Sequence, residues 1–142
     1  MDALAQSEDY ISGLPELKRG DMRALVQIVL EEMPGCQQRF WDGTDENGKV
    51  VANPTIGFGS VKKLNAKRAA SETFQVGLSA NKNGISVYLF GAATKTALAR
   101  AIAQSIGKAT VTGYCVRFKT VGDINLDAIR AAIRLVLNTQ RG

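Results

Sequence analysis

Six apolar residues, Met22, Leu25, Val26, Val29, Leu30 and Met33, recur at intervals of three and four, the spacing that lines one face of an α-helix. Pro15 suits a first helical turn, and Pro34-Gly35 forbids continuation, so the pattern predicts a helix over 15–33. Upstream, Ser7 followed by Glu8, Asp9, Tyr10 and Ile11 predicts a short helix that Ser7 caps and Gly13 ends, with its acids near the positive end of the helix dipole.

From Thr55 the period falls to two. Ile56 and Phe58, with Ser60 as an extension, alternate with Gly57 and Gly59; Phe74, Val76, Leu78 and Ala80 form a second alternating run, and Ile85, Val87 and Leu89 a third. Asn81-Lys82-Asn83-Gly84 joins the last two through residues that tolerate positive φ, which predicts a tight hairpin and an antiparallel pair. Tyr88 is out of phase with Ile85, Val87 and Leu89 and is expected on the face away from the core. Leu98, Ala101, Ile102, Ser105 and Ile106 then share a helix face that Gly107 ends, followed by a strand over 111–118. In the last helix Asp123 or Asn125 supplies the cap, and Leu126, Ile129, Ile133, Val136 and Leu137 form the stripe. Arg130 and Arg134 make an exposed i, i+4 pair. This order of elements predicts an α+β two-layer sandwich, an antiparallel sheet with helices packed on one face.

Composition adds that the 142 residues, 45% apolar and 22% charged, suit one ordinary domain over 1–142. No apolar run approaches the roughly 18 residues of a membrane span, and Met1 to Ser7 lacks the features of a signal peptide, so a cytoplasmic protein is expected. Charge is uneven: residues 1–46 hold ten acids against four bases, net −6, and residues 47–142 hold three acids against fourteen bases, net +11. Cys36 and Cys115 lack metal or redox spacing and read as buried free thiols. Gly57-Phe58-Gly59 lies inside a strand pattern with no third glycine or helix start. It points to a bulge or a close backbone approach and away from a phosphate cradle.

Several blocks resemble the YdhG-like family, DUF1801. They are Tyr10-Ile11 with Leu14-Pro15, Met33-Pro34, Ile56-Gly57-Phe58-Gly59, Val76-Gly77-Leu78-Ser79, Ser86-Val87-Tyr88-Leu89, Ile106-Gly107-Lys108, Tyr114 to Lys119, and Val121 to Leu126 leading into a helix. The likeness covers 6–138 and implies a bacterial-type protein of unknown function with a fold like that of secretion chaperones. Some relatives are described as frataxin-like iron carriers. The chain departs from the family at Ala80-Asn81-Lys82 and at 108–113, where relatives are richer in basic residues, so that Lys82 and Lys108 are what remains of a basic pocket there.

Three classes of function can be weighed. With no histidine, the chain lacks the commonest general base and metal ligand, and Asp42, Asp45 and Glu46 sit in a glycine-punctuated polar turn, so no catalytic residues and no cofactor are expected. A carrier of iron would draw on the acids of the N-terminal helices, Glu31 and Glu32 foremost, against the simpler reading of a solvated helix face. The third class, a non-catalytic binding module, takes most weight. The dense basic cluster Lys62, Lys63, Lys67 and Arg68 lies in a segment, 60–70, read as loop or short helix without interleaved aromatics, so nucleic acid is not expected. Expected instead is an apolar groove or homodimer surface bordered by Phe58, Tyr88 and Tyr114. Lys82, Lys108, Arg117 and Lys119 at its rim would favour a small anionic ligand or an acidic protein partner.

Overall fold

The computed structural model describes residues 2–64, 70–90 and 97–141. Helices α1 (Ala3–Ser12) and α2 (Glu16–Glu32) precede strands β1 (Gln38–Trp41), β2 (Thr55–Phe58), β3 (Val61–Leu64), β4 (Ala70–Thr73), β5 (Val76–Asn81) and β6 (Gly84–Leu89). Helix α3 (Ala97–Ile102), strands β7 (Ala109–Thr112) and β8 (Cys115–Phe118), a 3-10 turn (Val121–Asp123) and α4 (Leu126–Arg141) follow. Six strands form one sheet in the order β1-β2-β5-β6-β8-β7, every neighbour antiparallel, while β3 and β4 pair separately as a hairpin. The fold is thus the α+β sandwich that the periodicity predicts. No described helix is long and apolar enough to cross a membrane.

The alternation of each strand decides which side chains meet the helices. Ile56 and Phe58 of β2, Val76 and Leu78 of β5, Ile85, Val87 and Leu89 of β6, and Val116 and Phe118 of β8 are buried, and their registers place them in cross-strand rows on one face. Met22, Leu25, Ile28 and Val29 of α2, Ile129, Ile133 and Val136 of α4, and Leu98 and Ile102 of α3 complete that core. Outside it, Glu32 accepts hydrogen bonds from Arg134 and Arg130, the latter at 3.4 Å, and so ties α2 to α4. Tyr10 ties α1 to the sheet: its hydroxyl accepts from the Ala80 amide at 2.9 Å and donates to the Ala80 carbonyl at 3.3 Å.

Several local expectations change. Asp2, not Ser7, caps α1, accepting from the Ala5 amide at 2.8 Å; Ser7 lies inside the helix and donates to the Ala3 carbonyl at 2.7 Å. The alanines and leucine at 3–5 are good helix formers and extend α1 by a turn. On α2 the buried stripe runs through Ile28, leaving Leu30 41% exposed. Asn125 caps α4, its side chain accepting from the Asp127 amide at 2.9 Å. The expected strand over 111–118 is two strands, because the chain reverses at Gly113, whose φ of +53° only glycine adopts readily. Residues 61–64 form β3, where the sequence suggests loop or helix. Lys67 and Arg68 lie outside the described residues. β1 has no sequence counterpart: its single apolar-in residue, Phe40, gives too little alternation to see.

The α2–α4 link predicts a pH dependence. The Arg134 guanidinium, with Arg130 behind it, holds the Glu32 carboxyl below its ordinary value of 4.5. A depressed carboxylate stabilises the fold above that ordinary value, and the contribution disappears as pH falls through the group's own lower one. The wild type should therefore unfold at a higher temperature than Glu32→Gln at pH 7, and the difference should shrink and vanish as pH is lowered below 4.5 and past the carboxyl's depressed value. A difference that persists undiminished in acid would show that Glu32 acts by packing.

Candidate functional site

The face of the sheet opposite the helices has its own cross-strand rows. Arg39, Gly57, Gly77, Tyr88, Cys115 and Thr112 align across all six strands, and Ser79, Ser86, Arg117 and Thr110 align in the row beside them. Two glycines in the middle of a row leave a hollow, and Phe74 fills it. A Cβ on Gly77 would stand 2.4 Å from the Phe74 ring, and one on Gly57 would stand 2.8 Å from the Phe74 Cβ. Phe74 therefore does not continue the core alternation of β5. The bend at Gln75, whose amide donates to the Phe58 carbonyl and whose own carbonyl accepts from the Phe90 amide, turns it to the other face. The Gly57-Phe58-Gly59 pattern is thus a close approach, here by an aromatic ring.

Phe74 gathers an aromatic cluster. Its ring centroid lies 5.6 Å from Phe90 and 6.4 Å from Tyr88, Tyr88 and Phe90 are nearly parallel at 6.3 Å, and Tyr114 joins Phe90 at 5.9 Å. On the β1 side a depression of about 490 Å³ is lined by Arg39, Trp41, Gly57, Phe74 and Phe90 among others. Trp41 is 40% exposed and donates its indole N–H to the Thr44 carbonyl at 2.8 Å, which fixes the ring.

On the opposite side of Tyr88 lies a larger concavity of about 760 Å³. Its cations come from three places: Lys82 from the β5–β6 turn, Lys108 from the entry to β7, and Arg117 and Lys119 from β8 and the residue just past it. Asn53, Asn81, Asn83, Ser86, Tyr88 and Thr110 supply neutral polar groups, and no carboxylate lines it among the described residues. Gly84 makes the convergence geometrically possible. With φ +152°, a Cβ there would stand 2.1 Å from the Phe118 carbonyl oxygen, so only glycine lets the end of β8 close against the turn carrying Lys82. The turn is also held from below, since Lys18 of α2 donates to the carbonyls of Asn81 and Lys82. Removing positive charge from such a surface weakens its attraction for anions at a distance as well as in contact.

Of the residues that the sequence singles out, Tyr88, Lys82, Lys108, Arg117 and Lys119 come together in this concavity. Phe58 does not; it is fully buried, since its strand phase turns it to the helices. Tyr114 is on the open face but beside Phe90, in the hairpin turn before β8, and does not line the concavity. The concavity is more polar than the apolar groove expected. Missing from the sequence reading are Asn53, Thr110 and Phe74, which only strand order and the bend at Gln75 bring to this face.

Several acidic groups that the sequence singles out are engaged elsewhere. Glu31 and Glu32 face Arg130 and Arg134, so a cation there would have to displace guanidinium groups. Asp42 accepts from the Thr44 amide at 2.9 Å and hydroxyl at 2.6 Å, which holds its carboxyl below the ordinary value, and Asp45 accepts from the amides of Asn47 and Lys49. Among the described residues no three His, Cys, Asp or Glu side chains form a metal-binding group. Cys115 is buried, and burial pushes the Cys36 thiol up from its ordinary pKa. No family model, curated protein or solved structure matches the chain.

Two stability outcomes follow from this packing. Gly77→Ala should force Phe74 off its seat and cost about 1–3 kcal/mol, as overpacking does; a change below about 0.5 kcal/mol in urea unfolding would show the ring to be free to move. Tyr88→Ala should cost about 1–2 kcal/mol, the worth of its ring contacts. A loss of 3 kcal/mol or more would mark Tyr88 as ordinary core.

Proposed function

We propose that the protein is a non-catalytic binding module whose cationic concavity takes an anionic ligand or an acidic partner. The observation that carries this reading is the convergence of Lys82, Lys108, Arg117 and Lys119, from separate segments, on one surface depression with no carboxylate among the described residues that line it. Cations that serve only solubility are ordinarily interspersed with acids. Here Glu8, Glu32, Asp42 and Asp45 are engaged elsewhere, on α1, on the α2–α4 link and in the loop after β1. The asparagines, Ser86 and Thr110 add neutral donors that suit phosphate or carboxylate oxygens. The YdhG-like resemblance names no ligand, so the reading rests on this concavity.

Calorimetric titration with tripolyphosphate tests it. Saturable binding is expected at low ionic strength, weakening as salt is raised, and lost in Lys108→Ala/Arg117→Ala while the unfolding midpoint stays within a few degrees of wild type. No saturable binding by wild type, or equal binding by the double variant, would overturn the assignment.

A further inference from the structure

The aromatic cluster and the cationic concavity lie on the same open sheet face and share Tyr88. Tyr88 lines the concavity on one side and contacts Phe74 and Phe90 on the other, and these two rings line the depression that ends at Trp41. A small anion would need the cations alone, and an acidic peptide would gain little from a row of aromatic faces. Single-stranded nucleic acid uses both, because its backbone requires a positive groove and its unpaired bases stack on exposed rings. From the aligned row's β1 end to its β7 end is five inter-strand steps of about 4.8 Å, or about 24 Å, enough for several nucleotides. Arg39 also lines the Trp41 depression, and the chain carries a net charge of +5.

We propose that this face binds single-stranded RNA or DNA, with phosphates held in the concavity by Lys82, Lys108, Arg117 and Lys119 and bases stacked on Tyr88 and Trp41. The aromatic residues absent from the Lys62–Lys63 segment in the sequence are supplied by strand order at a different basic surface. The inference rests on the anion site proposed above and adds to it the nucleobase. Sequence readout is not part of it, since stacking accepts any base.

Fluorescence anisotropy with the full chain tests it against four labelled probes of about 12 units each: an oligothymidylate, an oligouridylate, an abasic oligomer with the same phosphates, and a poly-glutamate peptide. At least one of the two base-bearing strands should bind at least tenfold more tightly than the abasic oligomer, and the tighter of the pair identifies DNA or RNA as the polymer. Four phosphate contacts correspond to a loss of about 50-fold between 50 and 200 mM salt. Trp41→Ala, at an exposed position, and Tyr88→Leu should each weaken the base-bearing strand about tenfold and leave the abasic oligomer unchanged, whereas Lys108→Ala/Arg117→Ala should weaken both. Abasic and base-bearing strands binding equally would overturn the nucleobase role while leaving an anion site intact. Poly-glutamate binding more tightly than any oligonucleotide would assign the face to an acidic protein instead. If none of the four binds at low salt, both the nucleic-acid inference and the anion site fail.

Discussion

Burial of one face of the six-stranded sheet beneath α2 and α4 is the constraint on which the rest of the molecule depends. Each fully buried aliphatic or aromatic side chain in that layer contributes about 1.5–3 kcal/mol, and Ile56, Phe58, Leu78, Ile85 and Leu89 are all at full burial. Because strand side chains alternate, fixing these residues inward fixes Gly57, Gly77, Ser86, Tyr88 and Arg117 outward with no freedom to slip, since a one-residue shift would put the core in water. The open face is therefore as well determined in position as the core, although its side chains contribute less to stability. Rigid placement of polar and aromatic groups on strands, without a helix above them, is what a binding surface requires.

The open face is organised by what it lacks. Gly57 and Gly77 remove side chains from the centre of a row, Phe74 lies in the hollow, and Tyr88, Phe90 and Tyr114 pack around it. Gly84 performs a different service at the sheet's end, where its missing Cβ admits the Phe118 carbonyl and lets Lys82 and Lys119 border one depression. Charge separation between the two halves of the chain is resolved in a similar way. Acids of α2 pair with arginines of α4, so the −6 and +11 halves partly neutralise each other on the helix side. Part of the unbalanced positive charge is then found on the sheet side.

Much of this was legible in the sequence wherever one periodicity ran long enough. The helices from Glu16 and Leu126, the β5–β6 hairpin and the sandwich class follow from apolar spacing, and the outward phase of Tyr88 follows from Ile85, Val87 and Leu89. Lys82, Lys108, Arg117 and Lys119 lie around one concavity because β8 stands between β6 and β7, an order that apolar spacing does not reveal. Phe58 was misplaced because choosing a face for β2 requires its neighbours, and β1 was too short and too polar to be seen. Phe74 continued the alternation of β5 on paper, but alternation holds only within an unbroken strand, and the bend at Gln75 ends it. Gly113 divided an apparently continuous strand because a single positive-φ turn leaves the apolar period on either side almost unchanged.

The central claim is that the two faces of one sheet have separate tasks, one closed as core and the other open as a binding surface. Backbone amide shifts followed by NMR during addition of tripolyphosphate test it most directly. The perturbed amides should cluster at 82–88, 108–110 and 117–119, with those of α2 and α4 unmoved. Perturbations centred on the helix layer, or none at saturating ligand, would contradict it.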